Sequence, residues 1–193
     1  MKILLLCLNA FETMEFSPFI DVFGWARDDY DCDISIEICG FTHNIVSTFG
    51  VSITADVLID NVDINEYDAL AIPGGFEEYG FYKEAYDEKT LNLIRSFHSF
   101  YKPIASVCVA AFPLARSGIL KNKKATTYHL RGGYKREELK DFGVILGDDW
   151  LVVDDNIITS SCPKTAPDVA FQLLEMLTSH KKANEVKKAM GYS

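Results

Sequence analysis

The 193-residue chain lacks what would carry a protein into a membrane or onto a nucleic acid. No segment approaches the roughly 20 consecutive apolar residues needed to cross a bilayer. Lys and Arg number only 19 against 28 Asp and Glu, a net charge of −9, which disfavours nucleic acid and anionic membranes as partners. Cysteine is scarce and unpaired: five residues with no repeated spacing argue against a disulfide framework and a Cys-rich zinc site, so a reducing cytoplasm is the expected compartment. No Gly-x-Gly-x-x-Gly follows the first strand-like run, and His43, His98 and His180 lack ligand-like spacing. No metal, nucleotide or flavin cofactor is therefore expected. The apolar start Met1–Leu8 is short, has no small-residue cleavage site and runs into Glu12 and Glu15, so it reads as a buried strand rather than a secretion signal.

What is present fits one α/β domain over residues 1–193. A hydrophobic share of 48% supports a substantial core and argues against disorder. Lys2–Leu8, Ala69–Ile72 and Ile104–Val107 read as strands buried on both faces, the mark of a parallel sheet. Asp33–Cys39 alternates as another strand, and Asn44–Asp56, with Gly50 in its middle, as a hairpin. A helix is expected over Ser17–Asp28, with Ser17 as N-cap, Pro18 in the first turn and Phe19, Val22, Phe23 and Ala26 on one face. A second helix covers Lys89–Tyr101, with Leu91, Ile94 and Phe97 inward, and a third leaves Val109 for Ser117. Short strands follow at Lys124–Thr127, Val144–Leu146, Leu151–Val153 and Ile157–Thr159. A closing helix starts at Thr165, spaced with Asp168 as a capping box, and buries Val169, Leu173, Met176 and Leu177. This alternation implies a doubly wound fold.

In such sheets ligands bind outside the carboxyl ends of the strands. Three unusual features fall there: Glu15 after the first strand, Gly74–Gly75 after the third and Cys108 after the fourth. Cys108 stands in Pro103-Ile-Ala-Ser-Val-Cys-Val-Ala-Ala-Phe, with small Ser106 and Ala110 two residues to either side. A strand-to-helix elbow crowds those two positions and lifts its central residue into the site. A helix N-terminus would favour the thiolate there. The Val109 and Gly75 N–H groups could form an oxyanion hole, and a protonated Glu15 could donate a hydrogen bond to the thiolate. The ordinary alternatives are a core cysteine, a simple glycine turn and a solvated glutamate.

Taken together, Glu15 in Phe-Glu-Thr-Met-Glu, Ala71-Ile-Pro-Gly-Gly75 and Ala105-Ser-Val-Cys-Val109 resemble the ThiJ/PfpI superfamily, nearly along the whole chain. That group includes the parkinsonism-associated protein and shares its fold with class I glutamine amidotransferase domains. The resemblance implies a flavodoxin-like three-layer sandwich with a mostly parallel sheet, and a homodimer. It implies Cys108 as the reactive residue, Glu15 as its protonated partner, and Gly75 and Val109 as backbone donors. Peptidase-like members carry His directly after the nucleophile; this chain has Val109, which argues against peptidase activity.

Glyoxalase and deglycase members place a His after a Thr-Thr pair. Here Thr126-Thr127 is followed by Tyr128 and then His129. Neighbours on a strand face opposite ways, so strict register brings Tyr128 to the site, whereas a loop beginning at Thr127 would admit His129. His129 is taken as the third catalytic residue because imidazole exchanges protons near neutral pH. Gly74, Tyr128 and Cys162 are candidates for the pocket wall, and a thiol at Cys162 could resolve an oxidised Cys108. Cys7, Cys32 and Cys39 fall in strand-like runs and read as packing. The aromatic residues from Phe76 to Tyr86 could wall a pocket or a dimer contact. The expected function is a cysteine-nucleophile hydrolase or lyase acting on a small electrophilic molecule, glyoxalase-, deglycase- or amidase-like. A redox-sensing stress-response protein and a non-catalytic binding module of the same fold are the alternatives.

Overall fold

The computed structural model describes residues 1–192. Along the chain, β1 (Lys2–Leu6) leads to α1 (Thr13–Tyr30), β2 (Ser35–Gly40), the hairpin strands β3 (Asn44–Val46) and β4 (Ser52–Thr54), and β5 (Val57–Leu58). Next come β6 (Ala69–Ile72), α2 (Phe81–Ala85), α3 (Glu88–Ser99), β7 (Ile104–Ser106), α4 (Ala111–Arg116), β8 (Lys124–Ala125) and α5 (Tyr134–Leu139). The chain ends with β9 (Ile145–Leu146), β10 (Leu151–Asp154), β11 (Ile157–Ser160), α6 (Ala166–Leu177) and α7 (His180–Ala189).

Seven strands form one sheet in the order β10-β11-β7-β6-β1-β2-β5, parallel throughout except where β10 pairs with β11. Every residue of β6, β7 and β11 is buried, as are Ile3–Leu6 of β1. Such uniformly apolar or small strands can satisfy their ladders only between two covering layers. Helices α1, α6 and α7 pack together as one layer, and α3 packs on β6 and β7 beside α2 and α4. The chain leaves β1 for β2 on one side and later adds β6 on the other. That reversal opens a crevice at the carboxyl ends of β1 and β6.

Several local readings change. Helix α1 begins at Thr13 rather than Ser17, which sets Glu15 in its first turn and Pro18 in its interior. Proline there removes the N–H that would bond the Met14 carbonyl; Met14 is 62% exposed, so water can meet the freed group. The Thr165–Asp168 capping box does not form. Thr165 turns back instead, its Oγ1 donating to the Cys162 carbonyl at 2.7 Å, and α6 starts at Ala166. Within α6, Val169 and Leu173 are buried while Met176 and Leu177 are only partly so. Helix α7 is an element that the apolar pattern does not announce: only Ala183 and Val186 of its ten residues are buried. Cys32 lies in the loop after α1, not in a strand, whereas Cys39 lies in β2 and Cys7 just past β1.

No helix among the described residues is long and apolar enough to cross a membrane. No group of three or more His, Cys, Asp or Glu side chains among them is placed to hold a metal ion.

Candidate active site

Four strand ends of the sheet meet in one cavity of about 300 Å³. Glu12 and Glu15 enter it from the end of β1, Gly75 and Phe76 from β6, Cys108 and Val109 from β7, and Cys162 from β11.

The elbow is tight. Val107 N–H still bonds the Ile72 carbonyl at 3.2 Å, and two residues later the chain is already turning into a helix. Cys108 bridges the two with φ at 56°, in the left-handed region that a residue with a Cβ rarely adopts. Such a conformation costs on the order of 1–3 kcal/mol and persists only where its surroundings hold it. Here Thr127 Oγ1 donates to the Cys108 carbonyl at 2.9 Å, and Ser106 and Ala110 are both fully buried. Thr127 belongs to the Thr-Thr pair of the sequence motif, but its bond to the elbow carbonyl was not expected from it.

The two glycines are required by close approach. A Cβ on Gly74 would lie 2.7 Å from Glu15 Oε2 and 2.8 Å from the Val107 carbonyl oxygen. A Cβ on Gly75 would lie 2.2 Å from the Ala10 carbonyl oxygen and 2.5 Å from the Phe81 ring. Gly75 forms an isolated antiparallel bridge with Phe11 whose two bonds run from Glu12 N–H to the Gly74 carbonyl and from Phe76 N–H to the Ala10 carbonyl. The N–H of Gly75 itself takes no part in that bridge.

Glu15 is 1% exposed, and Gly74 N–H donates to its Oε2 at 2.6 Å. Burial raises its pKa from the usual carboxyl range to about 8; the bonds from Gly74 and Cys108 pull the other way but do not win. The carboxyl is therefore largely protonated at neutral pH. Burial likewise pushes the Cys108 thiol up; a charged Glu15 would push it further, and the Val109 N–H opposes both. The backbone donor thus favours the thiolate, yet desolvation by the surrounding protein outweighs it. A charge on Glu15 disfavours a charge on Cys108, so the thiol and the carboxyl do not both ionise readily.

Tyr128 lines the cavity and His129 does not. The His129 ring packs on Trp150 at 5.3 Å between centroids, with Nδ1 3.3 Å from the Thr127 carbonyl oxygen. Strand β8 ends at Ala125, Thr126 and Thr127 beyond it are both buried, and the imidazole that follows turns onto Trp150. The expected placement of His129 beside the thiol is corrected accordingly.

Further lining residues had no motif to reveal them. Glu12 is 7% exposed with its pKa raised by burial. Lys135, from α5, places Nζ 2.8 Å from Glu77 Oε2 and 5.2 Å from the centre of the Tyr82 ring. Phe76 and Tyr82 of the aromatic run, and Tyr128, which the sequence offered as pocket wall, line the cavity with Cys108.

The DJ-1/PfpI family profile matches residues 1–176. The chain belongs to the DJ-1/PfpI family. It is 31% identical over 165 residues to a protein of Pyrococcus horikoshii named a deglycase, covering 84% of this chain and 91% of that one. To the DJ-1 homolog B of Arabidopsis thaliana it is 29% identical over 189 residues, 97% of this chain but only 40% of that protein. The chain thus spans well under two thirds of some curated relatives it matches. The crystal structure of Drosophila melanogaster DJ-1beta superposes with a TM-score of 0.86 at 26% identity, over 100% of this chain and 98% of that one. The mostly parallel sheet with flanking helices is the fold of this family.

Proposed function

We propose that this chain is an enzyme that uses Cys108 as a nucleophile on a small carbonyl compound, a 2-oxoaldehyde, amide or ester. The observation that carries this reading is the convergence on one cavity of a thiol held in a left-handed turn, a protonated carboxyl, the Val109 N–H that faces the thiol, and Gly75. A core cysteine would have none of that company.

A substrate entering the cavity brings its carbonyl carbon to Cys108 Sγ. As the thiol proton leaves, Sγ attacks the carbon, and the carbonyl π electrons move to oxygen. Gly75 and Val109 N–H groups face that oxygen as its charge develops. Glu15, protonated at the outset, gives its proton to the developing alkoxide while the thiol proton takes its place on the carboxyl, so the adduct forms neutral. Tyr128 walls the pocket where His129 was expected and adds a phenolic hydroxyl near the adduct. The volume suits a small molecule rather than a polypeptide. Relatives named deglycases favour a reactive carbonyl within this class. The same reading carries a cytoplasmic homodimer as its cellular form.

Turnover of a panel of 2-oxoaldehydes, small amides and small esters tests it. Cys108→Ala is expected to lower turnover at least about 1,000-fold while circular dichroism stays unchanged. Undiminished turnover in that variant would overturn the reading. A second reading, a stress-protective thiol that is oxidised rather than turning over, is favoured by a specific observation: a second thiol, Cys162, in the same cavity.

A further inference from the structure

Cys162 has no part in the carbonyl chemistry, yet the fold delivers it to Cys108. Strands β7 and β11 are parallel neighbours, with Ser106 opposite Thr159. Cys108 follows Ser106 by two residues, and Cys162 follows Thr159 by three. Adjacent strands lie about 4.8 Å apart, and disulfides join Cα atoms separated by roughly 4.4–6.8 Å. Both side chains line the same cavity, and a charge on Cys162 would be felt at Cys108. The Cys162 backbone is held in place: Thr165 N–H donates to its carbonyl at 2.9 Å and Thr165 Oγ1 at 2.7 Å, with Pro163 fixing the turn between them. All five cysteines are free thiols, and Cys7, Cys32 and Cys39 do not line the cavity.

We propose that Cys162 is a resolving cysteine: after a hydroperoxide oxidises Cys108, Cys162 captures it as an intrachain Cys108–Cys162 disulfide. In the first step the Cys108 thiolate attacks the terminal peroxide oxygen. The S–O bond forms, the O–O bond breaks, and the alcohol or water leaves with a proton. Cys108 becomes a sulfenic acid, oxidised by two electrons, and the peroxide is reduced by two. In the second step Cys162 sulfur attacks Cys108 sulfur. The S–S bond forms, the S–O bond breaks, and hydroxide departs with the Cys162 proton as water. Capture competes with further oxidation to sulfinate, which thiols cannot reverse. The cavity therefore protects its own nucleophile. The inference shares with the proposed function only that Cys108 is accessible and nucleophilic.

The test is peptide mapping without reductant after the full chain meets a several-fold molar excess of hydrogen peroxide, quenched in acid over a time course. The expected product is a linked Cys108–Cys162 peptide pair and a mass lower by two hydrogens. In Cys162→Ser the link is absent, and sulfinate at Cys108 accumulates about tenfold faster. In Cys108→Ser, Cys162 stays reduced. Sulfinate at Cys108 in the wild type at the rate of Cys162→Ser, with no link, would overturn the inference and leave the proposed nucleophile standing. A link from Cys108 to any other cysteine would also overturn it. Oxidation of other cysteines with Cys108 untouched would overturn both the inference and the nucleophile.

Discussion

Cys7 and Cys108 are both buried thiols just beyond the ends of parallel strands, and burial pushes the pKa of both well up. Their surroundings separate them. Cys7 is wholly buried beside Cys39, whose thiol is pushed by burial to about 12, and its N–H merely continues the sheet ladder to the Cys39 carbonyl at 2.8 Å. Cys108 sits on a strained turn, facing a cavity, with a carboxyl, a backbone donor and a second thiol around it. A buried sulfur alone is packing; the same sulfur with groups that can trade its proton and hold its product is a site.

The largest expected effect comes from removing the titrating partner. Glu15 ionises near 4.5 when unfolded and near 8 when folded. Below pH 4.5 both states hold the proton. Between 4.5 and 8 the unfolded chain releases it and the folded chain keeps it, so rising pH costs stability across that window. The full loss is on the order of 5 kcal/mol, and no further loss occurs above about 8. Glu15→Gln abolishes this term, so its stability advantage over the wild type grows from pH 4.5 to 8 in denaturant unfolding. A constant difference would remove the buried carboxyl from the account.

Gly75→Ala comes next. Its Cβ would meet the Ala10 carbonyl and the Phe81 ring, and the strain is expected to cost about 3 kcal/mol in denaturant unfolding while displacing the Gly75 N–H and lowering turnover. Gly24→Ala, in α1 with nothing within 4 Å of the added carbon, should instead stabilise by about 0.5–1 kcal/mol. The smallest contrast lies between the two thiols. Cys7→Ser, which buries a hydroxyl in the core, should cost about 2 kcal/mol and leave turnover intact. Cys108→Ser should cost less and abolish turnover.

Strands β1, β6 and β7 were legible because uniform burial leaves an uninterrupted apolar run. The glycine pair and the Ser106–Cys108–Ala110 spacing were legible because close approach admits only small residues. The start of α1 was not: Ser17-Pro18 mimics a cap, whereas a partly exposed helix simply tolerates Pro18 one turn in. Helix α7 was hidden because docking on α1 and α6, rather than an apolar stripe, stabilises it. The choice between Tyr128 and His129 turned on how the chain runs beyond β8, a matter of one residue that no local pattern records. Thr127 and Lys135 reach the site only through the tertiary fold.

Cys162 supplies the control for the central claim, since it lines the same cavity and is 3% exposed against 8% for Cys108. The deciding measurement is brief labelling of the native chain with substoichiometric iodoacetamide at pH 7, read by peptide mass spectrometry at each cysteine. Labelling of Cys108 at least about tenfold above Cys162 is expected, because the Val109 N–H favours the Cys108 thiolate and Cys108 is the more exposed of the two. Equal labelling of the two would contradict the account, reducing Cys108 to one accessible thiol among others.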